Sequence, residues 1–382
     1  MRVYLLLAAL AFVTSATLTP ILRAIGKRTM ADIPVRARDV HSEKIPKLGG
    51  VSMIVAFLVA LAASTQAPFL TGVFIRPDVV AGLALAFIVI LIVGVADDLY
   101  ELRWYYKLIG QLAASLIMAV SGVRLEVLPV GWVQIDSVVW QIGAAMFLMI
   151  MTMNAINFVD GLDGLAAGTA AIGASAFFVY CYMLARQVNQ YDHANLGALL
   201  MAILLGSSLG FLIHNFNPAK IFMGESGAMM IGLVMSVATI VVTADLRALD
   251  GERFRNIPAY MPIVLPIAVI ALPLVDLFLS VLRRAARGRS PFTADRGHLH
   301  HRLIDGGYTH RGAVLLLYLW SAIVAFGAIL INRLPAGIML PIWAVLLLGA
   351  GILTIHPWIR RRLAHRTEAE HKKLHIRRKG RV

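Results

Sequence analysis

The chain has 382 residues, 59% of them hydrophobic and 15% charged, with a formal net charge of +14. Uncharged runs of 16 residues or more recur along it, which excludes an ordinary soluble domain and points to a polytopic membrane protein. The single cysteine, Cys181, excludes an internal disulfide.

A crossing helix needs about 20 apolar residues. The first such run, 3–22, is too long for the apolar stretch of a typical secretory signal, and no small-residue cleavage site is clear, so it is expected to remain as a span. Further runs follow at 48–65, 79–96, 108–123, 138–156, 164–185, 194–213, 226–244, 259–282, 312–331 and 334–355. The expected fold is all-α: a polytopic helical membrane bundle of about 11 transmembrane helices over residues 1–358, followed by a basic tail over 359–382. An odd number of spans puts the two termini on opposite faces.

Lys and Arg decide which face is which. Connections after the first, third, fifth, seventh and ninth runs, with Arg23 and the tail, carry 27 of the 35 basic residues. Cytoplasmic loops hold the excess of Lys and Arg, so the N-terminus is expected outside and the C-terminus in the cytoplasm, with the chain threaded through the plasma membrane; richness in Ala, Gly and Arg is compatible with a bacterial source. The tail "RRRLAHRTEAEHKKLHIRRKGRV" adds attraction to anionic headgroups of about 1 kcal/mol per basic residue near the surface. Topology and membrane lipids thus account for the charge, and nucleic acid is not an expected partner.

Four polar groups fall on the expected cytoplasmic face: "ADDLYELRWYYK" with Asp97, Asp98, Glu101 and Lys107; "NFVDGLDG" with Asn157, Asp160 and Asp163; "HNFNPAKIFMGESG" with His214, Asn215, Asn217, Lys220 and Glu225; and "GRSPFTADRGHLHHRL" with Asp295, His298, His300, His301 and Arg302. Charges between helices are usually plain solvated loop, and "DDLYEL" alone fits either that or a site. The second group is harder to dismiss. Asn157, Asp160 and Asp163 recur every three residues and would share one face of a helical turn, while Gly161 and Gly164 let backbone approach a ligand. Glu225, between Gly224 and Gly227 at the start of a helix, is either a cap or a metal ligand. The histidines of "HLHH" fit an anionic substrate better than zinc, with no cysteine nearby.

Phosphoryl transfer on magnesium suits these groups. Mg²⁺ takes one or two carboxylates together with substrate phosphates and water. The reaction asks mainly for positioning and for neutralising charge on the transferred group. Several carboxylates, an Asn, Lys107 and a His/Arg cluster supply those parts.

At these residues the chain resembles the polyprenyl-phosphate N-acetylhexosamine-1-phosphate transferases, glycosyltransferase family 4, which include the WecA-type enzymes and the phospho-N-acetylmuramoyl-pentapeptide transferases. The resemblance runs in order through "DVHSEKIPKLGGVSM", "DDLYELRWYYKLIGQ", "NAINFVDGLDGLAAG", "NPAKIFMGESG" and "RGHLHHRL". It implies an all-helical bundle in which a polyprenyl phosphate (undecaprenyl or decaprenyl) attacks the β-phosphate of UDP-GlcNAc, giving the lipid-diphosphate sugar and UMP with Mg²⁺, or Mn²⁺ in its place. A homodimer is compatible with it. By this resemblance Asp97 and Asp98 serve the lipid phosphate and the metal, with Asp97 activating that phosphate as base or as nucleophile. Lys107 pairs with phosphate, Asn157 and Asp163 bind the nucleotide beside catalytic Asp160, Asn157 also supports the metal, and Asn215 contacts substrate. His298, His300, His301 and Arg302 match the "HxHHRL" motif that holds the sugar-nucleotide phosphates and marks the WecA-type branch. Glu225 falls where the family pattern "MGDxG" has a metal-binding Asp, so either a shift at the flanking Gly224 or Gly227 absorbs its extra methylene or the carboxylate acts through a bridging water.

Competing readings fit less well. A muramoyl-pentapeptide transferase is the nearest alternative. An intramembrane prenyltransferase needs paired Asp-rich motifs, and "NFVDGLD" is a poor second copy of "DDLYE". CDP-alcohol phosphotransferases need an "AR" and two later Asp at spacing four, which "DGLDGLAAG" lacks. A transporter would place charge at mid-membrane depth, where Asp276 is the one clear candidate.

Overall fold

The computed structural model describes residues 1–29, 45–75, 77–126, 134–186, 193–244, 303–330, 335 and 337–357, with isolated positions at 278, 281, 282 and 286. Its elements are helical throughout. In chain order they are α1 (Arg2–Thr29), α2 (Gly49–Ser64), a 3-10 helix (Pro68–Ile75), α3 (Pro77–Tyr100), α4 (Trp104–Val120), α5 (Val138–Val159), α6 (Leu165–Ala185), α7 (His193–Asn215), α8 (Gly224–Ala244), α9 (His310–Leu330) and α10 (Gly337–Pro357). Every expected run has a described helix except 259–282, which lies outside the described residues apart from a few positions.

Eight of these helices are long and apolar enough to cross a membrane, and α2 with the 3-10 helix makes a ninth if that pair is one span. The pair bends by 107°. The cause is local: Pro68 offers no N–H to the preceding turn, and a residue before proline is driven out of the α region. At 17 residues α4, like α2 at 16, is shorter than those eight.

Packing is organised around α8. Within its most apolar window 94% of the residues are buried, and it touches α2, α3, α5 and α7. Apolar on all sides, it can only sit inside the bundle. Glycines let its neighbours come close: a Cβ on Gly50 of α2 would lie 2.1 Å from the Gly227 nitrogen, and one on Gly94 of α3 would lie 2.5 Å from the Ser226 Cα. Such small-residue contacts are how helices associate where lipid removes the hydrophobic drive between them. On the other side α7 joins α1 and α6, and α9 packs on α6. The outermost helix is α10, only 11% buried over its window, with Leu340, Val345 and Ile352 facing outward as lipid-exposed side chains do.

Helix ends overrun the apolar runs in ways that matter for the site. Apolar character ends at 96, but α3 continues through Asp97 and Asp98 to Tyr100, and Glu101 N–H still donates to the Asp97 carbonyl at 2.8 Å. Glu101 then takes a left-handed conformation, φ 53°, which stops the helix, and extended Arg103 leads into α4. Lys107 therefore sits in the first turn of α4 and Asn157 in the last turn of α5, not in loops.

Candidate active site

One end of the bundle gathers the C-terminal ends of α3, α5 and α7 and the N-terminal ends of α2, α4, α6 and α8. Three of the four polar groups singled out by sequence meet there.

Its centre is Lys107. The Nζ donates to Asp97 Oδ2 and to Glu225 Oε1, each at 2.7 Å, so one ammonium joins α4 to α3 and α8. The other Glu225 oxygen, Oε2, accepts from Asn157 Nδ2 at 2.6 Å, which ties in α5. The backbone N–H of Glu225, exposed as all first-turn amides are, donates to both oxygens of Asp98 at 3.2 and 3.3 Å. Gly224 makes this possible. It has φ +73°, and a Cβ there would lie 2.2 Å from the Lys47 carbonyl and 2.3 Å from Asp98 Oδ2, so only glycine lets that carboxylate cap α8. Asp97 and Asp98 are both buried, at 8% and 9% exposure. Asp97 Oδ1 is sealed from solvent without a hydrogen-bond partner.

The α5–α6 connection supplies a second layer. Asp160 caps the end of α5, half-buried. Burial, and then the negative charges of Glu225 and Asp163, push its carboxyl up to about 7, against a smaller pull from Lys47. Asp163 faces the other way: its Oδ2 accepts from Asn217 Nδ2 at 2.9 Å and from the Ala219 N–H at 3.0 Å. Asn215 is buried and spent on backbone, accepting from the Gly164 N–H at 3.0 Å and donating to the Ile221 carbonyl at 2.9 Å. Gly164, with φ +80°, also offers its carbonyl to the Tyr318 hydroxyl of α9. In this arrangement Asp163 and Asn215 shape the loop that presents Asp160.

His298, His300, His301 and Arg302 lie outside the described residues, as does Asp276. Lys47, which the sequence reading did not assign, stands exposed beside this cluster, close enough to act electrostatically on Asp98 and Asp160. Its signal was its place two residues before the Gly49–Gly50 pair, whose N–H groups donate to the Phe222 and Met223 carbonyls at 3.0 and 2.7 Å and so bring it to the start of α8. Tyr318 and Arg311, whose Nε donates to the Asn217 carbonyl at 3.1 Å, carried no signal at all.

The donor set suits a hard, oxygen-seeking cation. Among the described residues no three His, Cys, Asp or Glu side chains close into a metal cage. Magnesium does not require one, since it keeps waters and substrate phosphates and takes one or two carboxylates. The buried, unpartnered oxygen of Asp97, with Asp98 and Glu225 adjoining, fits that demand.

Comparison with known proteins points to the same family. A family model described as glycosyl transferase family 4 matches residues 80–243, from α3 to the end of α8. The chain is 37% identical over 357 residues to a decaprenyl-phosphate N-acetylglucosaminephosphotransferase of Mycobacterium leprae, covering 90% of this chain and 87% of that one. It is 28% identical to a probable undecaprenyl-phosphate N-acetylglucosaminyl 1-phosphate transferase of Bacillus subtilis, covering 89% and 88%. A phospho-N-acetylmuramoyl-pentapeptide-transferase of Desulforudis audaxviator is 31% identical over a shorter stretch, 63% of this chain and 77% of that one.

Proposed function

Because the chain belongs to glycosyl transferase family 4, we propose that it transfers N-acetylglucosamine 1-phosphate from UDP-GlcNAc to a polyprenyl phosphate, giving polyprenyl-diphosphate-GlcNAc and UMP. The observation that carries this reading is the Asp97–Lys107–Glu225–Asn157 chain, built from four helices at one membrane face beside the half-buried Asp160. It places a cation and several carboxylates where a membrane-held phosphate and a water-soluble nucleotide can meet. The greater identity and fuller coverage of the decaprenyl-phosphate relative favour this donor over a muramoyl-pentapeptide.

In the reaction an oxygen of the lipid phosphate attacks the β-phosphorus of UDP-GlcNAc, and the bond from that phosphorus to the bridging oxygen breaks to release UMP. A lipid phosphate is largely ionised at pH 7, so the acceptor needs placement more than deprotonation. Lys107 offers its ammonium to that phosphate, and Asp97 orients Lys107 from one side while Glu225 does so from the other. Asp160 and Asn157 border the donor, held by the loop that Asn215, Asn217 and Tyr318 fix. Magnesium, when bound, supplies positive charge to the phosphates, and Asp97, Asp98, Asn157 and Glu225 are the residues that would hold it. The site faces the cytoplasm in this account, because the basic residues cluster on the connections at its end of the bundle.

The test is incubation of membranes containing the protein with radiolabelled UDP-GlcNAc, decaprenyl phosphate and Mg²⁺. Labelled lipid and an equal amount of UMP are expected, and only with all three present. No product from UDP-GlcNAc, with product from UDP-N-acetylmuramoyl-pentapeptide, would move the chain to the other branch of its family.

A further inference from the structure

Proline 20 lies inside α1 and has no N–H, so the Ala16 carbonyl four residues earlier lacks its helical donor. Ala16 is half-buried, so its carbonyl is costly to leave without a donor. The donor comes from another helix: His214 Nε2, at the end of α7, lies 3.0 Å from the Ala16 oxygen. A carbonyl only accepts, so Nε2 carries the hydrogen. The two backbones are already close there, since a Cβ on Gly210 would lie 2.3 Å from the Phe12 carbonyl.

His214 is also the residue from which the site loop departs. Its own carbonyl accepts from the Lys220 N–H at 2.9 Å. The next residue, Asn215, holds Gly164 and Ile221, and Asn217 and Ala219 hold Asp163. We propose that His214 is a positioning residue of the transferase: by donating to the Ala16 carbonyl that Pro20 leaves without a helical partner, it fastens the end of α7 to α1 and holds the 215–221 loop that seats Asp163 and Gly164. The kinetic consequence rests on the function proposed above, whereas the hydrogen bond itself does not.

A double-mutant cycle tests both in the full-length protein in nanodiscs. Pro20→Ala returns an N–H to α1 and so gives Ala16 a partner without His214. His214→Ala should raise the UDP-GlcNAc KM about tenfold, the order expected when a half-buried acceptor loses its donor, with kcat changed by no more than about threefold. In the Pro20→Ala background the same substitution should raise KM by no more than about twofold. His214→Gln, whose amide nitrogen can still donate, should keep a KM near wild type. An equal penalty in both backgrounds, or a Gln variant no better than Ala, overturns the proposal. Should the wild type show no transfer from UDP-GlcNAc, the functional reading fails, and thermal midpoints of the same four proteins still decide the bond: non-additive losses support it, additive losses overturn it. If His214→Ala does not accumulate, its recovery as folded protein in the Pro20→Ala background supports the bond, and failure to recover overturns it.

Discussion

At the scale of single residues, Lys107 is the group on which the site depends. Two carboxylates from different helices converge on its ammonium, and without it Asp97 and Glu225 would face each other as like charges. Lys107→Met is therefore expected to lower the transfer rate by at least about a hundredfold, as is Asp97→Asn, the scale seen when a group stabilising charge in a transition state is removed. A rate near wild type in either variant, at equal amounts of inserted protein, would remove that residue from the reaction. Glu225→Gln keeps the reach to Asn157 but loses the ion pair, so a loss of about tenfold or more in rate is expected; Gln serving as well as Glu would leave it a helix cap only. Asp160 gives a pH signature. With its carboxyl pushed up to about 7, its contribution to the stability of the metal-free protein is fully present below the ordinary carboxylate range and is lost as pH rises through 7. A magnesium ion held by Asp97, Asp98, Asn157 and Glu225 would favour the ionised form of neighbouring Asp160 through its charge, so its stabilising shift in thermal midpoint should be larger at pH 8 than at pH 6, and Asp160→Asn should remove most of that difference. The sequence revealed these carboxylates through their motifs but not the bridge between them, because Lys107 and Glu225 are 118 positions apart and only the fold brings them together. Asp163 and Asn215, read as substrate contacts, also fasten the loop, Asp163 to the Asn217 side chain and the Ala219 N–H and Asn215 to Gly164 and Ile221, through partners that no spacing announces.

At the scale of elements, the start of α8 is placed by what its neighbours lack. Gly94 and Gly50 bring α3 and α2 against Ser226 and Gly227, next to Glu225. Gly94→Ala puts a methyl 2.5 Å from the Ser226 Cα, so it should lower the thermal midpoint and the transfer rate together, by shifting the Glu225 N–H away from Asp98. Gly143→Ala in α5, with nothing within 4 Å of its Cβ, is the control: it should leave activity unchanged and stabilise the helix by up to about 1 kcal/mol. Equal losses in the two variants would mean that close packing at α8 is not what Gly94 provides. Apolar runs located these helices well, since lipid demands about 20 apolar residues in a row. They failed at the ends, where hydropathy stops at the first charge although α3 continues through two carboxylates that find partners.

At the scale of the molecule, the sequence divides the chain into a membrane bundle and a basic tail. Deleting residues 366–382 should leave the specific activity of inserted protein intact and weaken only its attraction to anionic lipid; a loss of turnover at equal insertion would show that the tail closes over the site. The helical, polytopic class was readable from composition alone, and the matching relatives span nearly its whole length. What composition could not show is that one end of the bundle collects the carboxylates, which follows from the antiparallel order of α3, α4, α5 and α8 and the glycine contacts that close it. Transfer of the sugar together with its phosphate is tested most directly with UDP-GlcNAc labelled with ³²P at the β-phosphate. The label is expected in the decaprenyl-diphosphate product and the released nucleotide is expected to be unlabelled UMP, in wild type and not in Lys107→Met. Label recovered in released UDP would contradict such transfer, because the bond broken would then lie between sugar and phosphate.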